Sequence, residues 1–274
     1  MKVIPTITDI LFIITVIHTT VLNISMNTPI TMARQKTTPT IMTENEARFN
    51  VMQLLQFTDS AFPVGTFSFS NGLETAAFEN IVTDKNTLEQ FARSQAWQAA
   101  FTDGIAALHS YRASKAGELD KIVEADKELM LCKMNDEARV MLTRMGKKLA
   151  ELAVKLYPED DLISNFLRLI KEEKTPGMYP VVQGVIFAKS GIEEVDLFAS
   201  HQYGVVNMVL SAALRCVRVS HYDTQEILFE LSEETERLYE LVKDMRLDEM
   251  NAFFPELDIL ASLHEKGSQR MFMS

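Results

Sequence analysis

Between Ala138 and Leu156 the residues Ala138, Met141, Leu142, Met145, Leu149, Leu152, Ala153 and Leu156 recur at i, i+3, i+4 and i+7, and Pro158 closes the run. A helix gathers that spacing onto one face, whereas a strand, with its period of two, scatters it over both. Backbone breakers are sparse, with 10 Gly and 8 Pro in 274 residues, beside 15 Met and 47% apolar residues. Few turns and many long apolar stretches favour helices over a many-turned β fold. A chain of this length buries one sizeable core or two small ones. The expectation is an all-α fold, a single compact bundle of roughly eight to ten helices over residues 44–274.

The elements follow from caps and periodicity. A short first helix carries Phe49, Met52, Gln53 and Gln56 on one side and ends near Thr58. Asn71 stands three residues before Glu74, the spacing of a capping side chain and a carboxylate reaching back, which predicts a helix from Gly72. Asn86 and Glu89 repeat that spacing and open a long helix through Trp97 and His109 to Ser114. Leu119 to Met134 keeps the helical period, the Ala138–Leu156 stripe follows, and Glu159 to Lys174 forms a further helix. The Thr175-Pro176-Gly177 turn resets the chain. Tyr179–Ser190 is apolar enough to be buried all round, with Gly191 as its C-cap. Glu193–Val219 and Thr224–Asp244 complete the series, and a short tail spans 262–274. No internal repeat is visible.

Residues 1–43 resemble nothing that follows. Val3 to Ile24 is apolar and β-branched, broken by Pro5, Asp9 and His18, and Thr-rich sequence continues to Thr43. Its uninterrupted apolar run, Ile10–Ile17, falls well short of the about 20 residues a membrane span needs. Lys2 and that run resemble the start of a secretory signal, but no A-x-A-like cleavage site follows. The extension is expected to be disordered, or to lie upstream of a true start at Met26, Met32 or Met42.

The formal charge of −11 repels phosphate backbones and anionic lipid surfaces, which argues against a nucleic-acid or membrane partner. Cys132 and Cys216 lie in apolar helical stretches without the neighbours of a metal motif, and are expected to be reduced core thiols. There is no GxxxxGK[ST] loop, GxGxxG, HExxH or GxSxG. His18, His109, His201, His221 and His264 are too dispersed for a local ligand set. The carboxylate pairs Glu193/Glu194 and Asp160/Asp161 open helices, where they favour the macrodipole. No catalytic residue and no metal ligand is expected.

Ala61–Glu74 (AFPVGTFSFSNGLE) is the segment with most local character. Pro63 pushes Phe62 out of the helical region, and Gly65 and Gly72 offer backbone shapes that other residues avoid. Phe62, Phe67 and Phe69 anchor the loop, with Ser68 and Ser70 between them as hydroxyls for its backbone. Packing onto its own domain or binding a partner would each explain it.

Phe62, Pro63, Gly65, Phe67, Phe69, Ser70, Gly72, Leu73 and Glu74 match the FPxGx-aromatic-x-aromatic-Ser-x-Gly-Leu-Glu segment of the F-type urease accessory proteins, UreF. Asn207, Arg215, Asp223 and Gln225 fall where that family has an Asn, a basic residue and a Gln-bearing segment, and Ser262, His264, Glu265, Arg270, Phe272 and Ser274 resemble its tail. Arg218–His221 departs from the family's Pro-Leu-Gly-Gln-like loop. The resemblance implies a non-catalytic, cytoplasmic, homodimeric factor that bridges the D/H-type accessory protein and the nickel-carrying G-type GTPase for Ni²⁺ delivery to apo-urease. No cofactor would be held stably; Ni²⁺ would transit the complex. Glu74, Arg215, Asp223 and Gln225 would face the GTPase, and His264, Arg270, Phe272 and Ser274 the D/H-type partner. Pro63, Gly65, Ser70 and Gly72 would shape the loop. Two other classes remain open: a generic helical interaction module unrelated to urease, and a metal or acid–base enzyme requiring Asp59, Glu74, His109 and His201 to converge.

Overall fold

The computed structural model describes residues 44–59, 62–65, 69–252, 254–266 and 271–272, and the side chains within these except at 44–49 and 265–266. The expectations for residues 1–43 and for Phe67, Ser68, Arg270 and Ser274 lie outside the described residues. The chain divides into two units, Met1–Glu44 and Asn45–Ser274. Among the described residues every regular element is helical. They are α1 (Glu44–Thr58), α2 (Leu73–Phe78), α3 (Lys85–Ala99), α4 (Ile105–Ala116), α5 (Leu119–Cys132), α6 (Asp136–Leu156), α7 (Asp161–Lys171), α8 (Tyr179–Ser190), α9 (Glu194–Cys216), α10 (His221–Val242) and α11 (Pro255–Lys266). The all-α expectation holds.

Two large apolar clusters organise the second unit, beside a smaller one of Ala100, Ile105, Leu108, Phe198, Leu238 and Val242. One gathers α4 to α8, with Phe57, Phe62, Val64 and Phe69 from α1 and the loop after it. Another gathers α2, α3, α9, α10 and α11, with Phe272. The central α9 serves both, placing Leu197 in the first and Val206, Val209 and Leu210 in the second. Its neighbour α8 is buried along its whole middle, Pro180 to Ala188, and ends at Gly191 in the left-handed region, as its sequence predicts. The α6 stripe buries Met141, Leu142, Met145, Leu149 and Ala153, while Leu156 at its end is exposed.

Several local readings need correction. In α1 the inward face is Asn50, Gln53, Leu54 and Phe57, and Met52 points to solvent. Asn50 Nδ2 donates to Gly191 O at 2.9 Å, so α1 is registered against the end of α8 by a polar contact that apolar periodicity cannot find. Helix α3 is capped by Asp84, which accepts from Thr87 N, and Thr87 returns a bond to the cap backbone. Glu89 pairs instead with Arg93 one turn on. The long helix expected through Ser114 is interrupted by a π-helical turn, Ala100–Gly104. A helix, α11, occupies residues 255–261, for which no element was expected, and runs on into the first five residues of the stretch read as tail; its Leu257, Leu260, Ala261 and His264 are all buried at i, i+3, i+4 and i+7.

Candidate functional site

Helix α2 does not start as Asn71 and Glu74 predict. Asn71 has φ of 50°, Gly72 at the N-cap has φ of 78°, and no side chain caps the helix. Successive left-handed residues turn the Asn71 side chain away from the cap, and its carbonyl accepts from Gln95 Nε2 at 2.8 Å. A Cβ on Gly72 would sit 3.0 Å from Ala261 N and 3.2 Å from the Leu260 Cβ, so this glycine lets α2 press against α11. Ser70 is buried, but its hydroxyl has no hydrogen-bond partner among the described residues, so it does not satisfy the loop backbone as expected.

Released from capping, Glu74 turns toward the C-terminal segment. Its Oε2 lies 2.8 Å from His264 Nε2, and its two oxygens accept from Met271 N at 2.7 Å and Phe272 N at 3.2 Å. His264 Nδ1 lies 2.9 Å from Glu137 Oε2 on α6. Both side chains around this histidine are almost closed to solvent, Glu74 at 11% and Glu137 at 3% exposure. The hydrogen bond to Glu137, followed by that to Glu74, raises the imidazole pKa against the opposing effect of burial. Arg215 on α9, itself exposed, places its guanidinium 5.1 Å from the Phe272 ring. The loop after α1, the end of α9 and the C-terminal segment thus meet around Glu74.

The structure therefore unites residues that the resemblance assigns to two different partners. Glu74 and Arg215 stand beside His264 and Phe272. Asp223 is elsewhere, at the start of α10, accepting from Ser220 N at 2.7 Å in a capping box that holds its carboxyl below the ordinary range. Gln225 is exposed on the same helix, beside an apolar groove shared with Leu228, Phe229 and Tyr203. The departing Arg218–His221 loop supplies that cap through Ser220. In the loop Gly65 and Gly72 adopt the positive φ that only glycine takes easily, Pro63 is exposed, and Phe62 and Phe69 are buried.

A second polar feature lies where the two apolar clusters meet. A cavity of about 140 Å³ is lined by Asp103, Lys133, Glu137, Gln183, His201 and Arg215, among others. The π-helical turn rotates Asp103 inward, where its Oδ2 meets Lys133 Nζ at 2.7 Å. Such turns insert one residue into a helix and often mark functional positions. His201 Nδ1 lies 3.0 Å from Gln183 Oε1, while its Nε2 and Asp103 Oδ1 are buried without a hydrogen-bond partner among the described residues. Burial pushes the His201 imidazole below its ordinary pKa, which favours the neutral ring. The cavity has a largely apolar wall into which these polar groups project, and it is large enough for several water molecules.

The four residues on which an acid–base or metal site would rest, Asp59, Glu74, His109 and His201, do not converge there. Asp59 and His201 line the cavity, but Glu74 is engaged with the C-terminal segment, and His109 Nε2 meets Met245 O at 2.8 Å. Among the described residues no group of three or more His, Cys, Asp or Glu is placed to hold a metal ion. The two thiols are free and half-buried at the ends of α5 and α9; burial raises both, Cys216 to about 11. No described helix is long and apolar enough to cross a membrane.

Sequence reasoning missed the pairing of Glu137 with His264. The signal available was a histidine at the fourth position of the buried face of α11, opposite a carboxylate one residue from the α6 stripe.

Residues 82–232 match the family model described as UreF. A protein of Brucella canis, "Urease accessory protein UreF 2", is 45% identical over 224 residues, covering 82% of this chain and 92% of that protein. "Urease accessory protein UreF" of Yersinia enterocolitica is 42% identical over 223 residues, covering 81% and 97%. With identity of that order spread over nearly the whole of both relatives, the chain belongs to the UreF family of urease accessory proteins.

Proposed function

We propose that this chain is a non-catalytic urease maturation factor that bridges the D/H-type accessory protein and the nickel-carrying G-type GTPase, so that Ni²⁺ reaches apo-urease. The observation that carries the reading is the meeting of its two family-like segments: Phe62–Glu74 and the C-terminal segment are joined through Glu74, with exposed Arg215 alongside. A surface assembled from both ends of a domain exists only in the folded chain, which suits a factor recognised as a whole. Arg215 serves the GTPase side together with Asp223 and Gln225, and Phe272, Arg270 and Ser274 serve the D/H-type side. Glu74 and His264, both turned inward, act by holding the two sides in register. Ni²⁺ is cargo, with no resident site on this chain, and the working form is a cytoplasmic homodimer.

The test is a pull-down of the full chain with the D/H-type and G-type accessory proteins of the same organism. Capture of the GTPase only when the D/H-type protein is present, weakened by Arg215→Ala and lost on removing the last five residues, is the expected result. A correctly folded chain, as judged by circular dichroism, that captures neither protein would sink the bridging reading and leave a helical interaction module.

A further inference from the structure

The buried His264 side chain joins three separate parts of the chain: its own helix α11, α2 through Glu74 and α6 through Glu137. Between two ionised carboxylates, donation from both ring nitrogens requires both to carry protons, which is the imidazolium. A neutral ring has one N–H, so one lone pair would face a carboxylate oxygen at less than 3 Å. That arrangement is repulsive and cannot persist unchanged. Glu74 is the movable partner, because the same carboxylate accepts the Met271 and Phe272 amides and lies nearer solvent than Glu137.

We propose that His264 is a proton-operated latch: as an imidazolium between Glu74 and Glu137 it fixes Glu74 as the backbone acceptor for Met271 and Phe272, and loss of the proton frees that stretch from α2. Among the described residues, groups from three further helices face the latch. Helix α2 contributes Glu74 and α6 contributes Glu137. Helix α9 contributes the Arg215 guanidinium, over the Phe272 ring, and the Cys216 thiol, which feels the Glu74 charge. On α11 itself Asp258 is turned away from His264, onto Asn135 at 2.6 Å and Gln98 at 3.4 Å. Glu137 and Glu74 bond the ring from its two sides, which favours the protonated form, in agreement with the raised imidazole pKa.

The direction of control follows. A histidine whose folded pKa lies above its unfolded value of about 6.5 stabilises fully below that value, and the contribution is lost as pH rises through the folded pKa. The latch is closed in mildly acid conditions and opens toward alkaline ones. It belongs to this chain alone and stands whether or not the bridging reading does, since its test includes no other protein.

The experiment is hydrogen–deuterium exchange of the full chain across about pH 5.5 to 8.5, corrected for intrinsic exchange and read on the peptide containing Met271 and Phe272. Exchange at least about tenfold slower at the acid end is expected, with His264→Gln flattening the profile because its amide cannot titrate. Protection independent of pH in the unsubstituted chain, or a His264→Gln chain that keeps the original profile, would overturn the latch. Should that variant fail to fold, the NMR titration of the His264 ring in the unsubstituted chain decides: a pKa above about 6.5 is required, and one at or below it ends the proposal.

Discussion

Two buried carboxylate knots tie distant parts of this chain together, and they differ in what they tie with. Asp126 on α5 is fully buried and accepts from Thr175 Oγ1 at 2.5 Å, Gly177 N at 2.6 Å and Met178 N at 2.6 Å. It pins the turn that enters α8. Burial pushes its carboxyl up and the three donors oppose that, but none of the donors titrates near neutrality. Glu74 and Glu137 are tied instead through His264, whose donors come and go with one proton. The first knot has donors that do not change with pH and sits under the α4–α8 cluster. The second is conditional and sits under the C-terminal segment. Neutral donors make a scaffold, and an ionisable one makes a joint that conditions can loosen.

Breaking the first knot should have the largest effect. Asp126→Ala leaves two backbone N–H groups and a hydroxyl buried without their acceptor, each at about 1–3 kcal/mol, so a loss of about 4 kcal/mol in unfolding free energy is expected from urea titration. Asp126→Asn keeps one acceptor oxygen and should recover part of it. The same turn is sensitive from its other side. A Cβ on Gly146 of α6 would fall 1.9 Å from Gly177 O and 2.7 Å from Tyr179 N, both backbone atoms that cannot step aside. Gly146→Ala should cost roughly 3 kcal/mol or more by forcing α6 away from the start of α8. The Gly146→Ala loss should not vary across neutral pH, and a strong pH dependence of that loss would show that the two knots are coupled.

The conditional knot should behave differently. Glu137→Gln removes the carboxylate that does most to raise the His264 pKa while keeping an acceptor oxygen. We expect about 1–2 kcal/mol of destabilisation at about pH 6, shrinking toward zero as the pH rises through the raised pKa of the unsubstituted chain. Thermal melts of both chains across that range measure it. A Glu137→Gln deficit that is constant with pH would mean that His264 contributes only as a neutral hydrogen-bonding group.

The sequence and the structure part company along the same line that separates the knots. Apolar periodicity finds α6 and α8 because their burial is continuous, and glycine chemistry finds the end of α8, where Gly191 has φ of 69°. The segments that carry the family likeness, Phe62–Glu74 and His264–Phe272, are also visible, being local strings of residues. What stays hidden is polar and non-local. Glu74 sits three residues after a capping residue type and is taken for a helix start, although its carboxylate serves residues almost two hundred positions away. Glu137 sits between a cap and an apolar stripe and gives no sign of facing a histidine. The π-helical turn is equally silent, since Ala100–Gly104 reads as ordinary helix and only the inward swing of Asp103 onto Lys133 reveals it. Helix α11 escapes because its inward face is completed by a histidine, which pattern reading counts as polar.

The smallest expected effect falls on Arg215, and it sharpens the comparison most. Its guanidinium lies over the Phe272 ring at 5.1 Å from an exposed position on α9, a contact of about 0.5–1 kcal/mol in the folded chain. Arg215→Ala should therefore shift the thermal midpoint slightly, by a few degrees at most. Phe272→Ala removes the same contact together with a buried ring and should cost more, about 2–3 kcal/mol if the segment is docked. That cost is itself conditional: with Glu74 holding the Phe272 amide it should appear in full below about pH 6.5, and it should decline as His264 loses its proton. Arg215→Lys separates packing from charge, because a lysine keeps the cation and loses the planar face that stacks on an aromatic ring. If Arg215→Lys matches the unsubstituted chain at every pH, charge near the ring is sufficient; if it matches Arg215→Ala, the stacked guanidinium is what holds the ring while Glu74 holds its backbone.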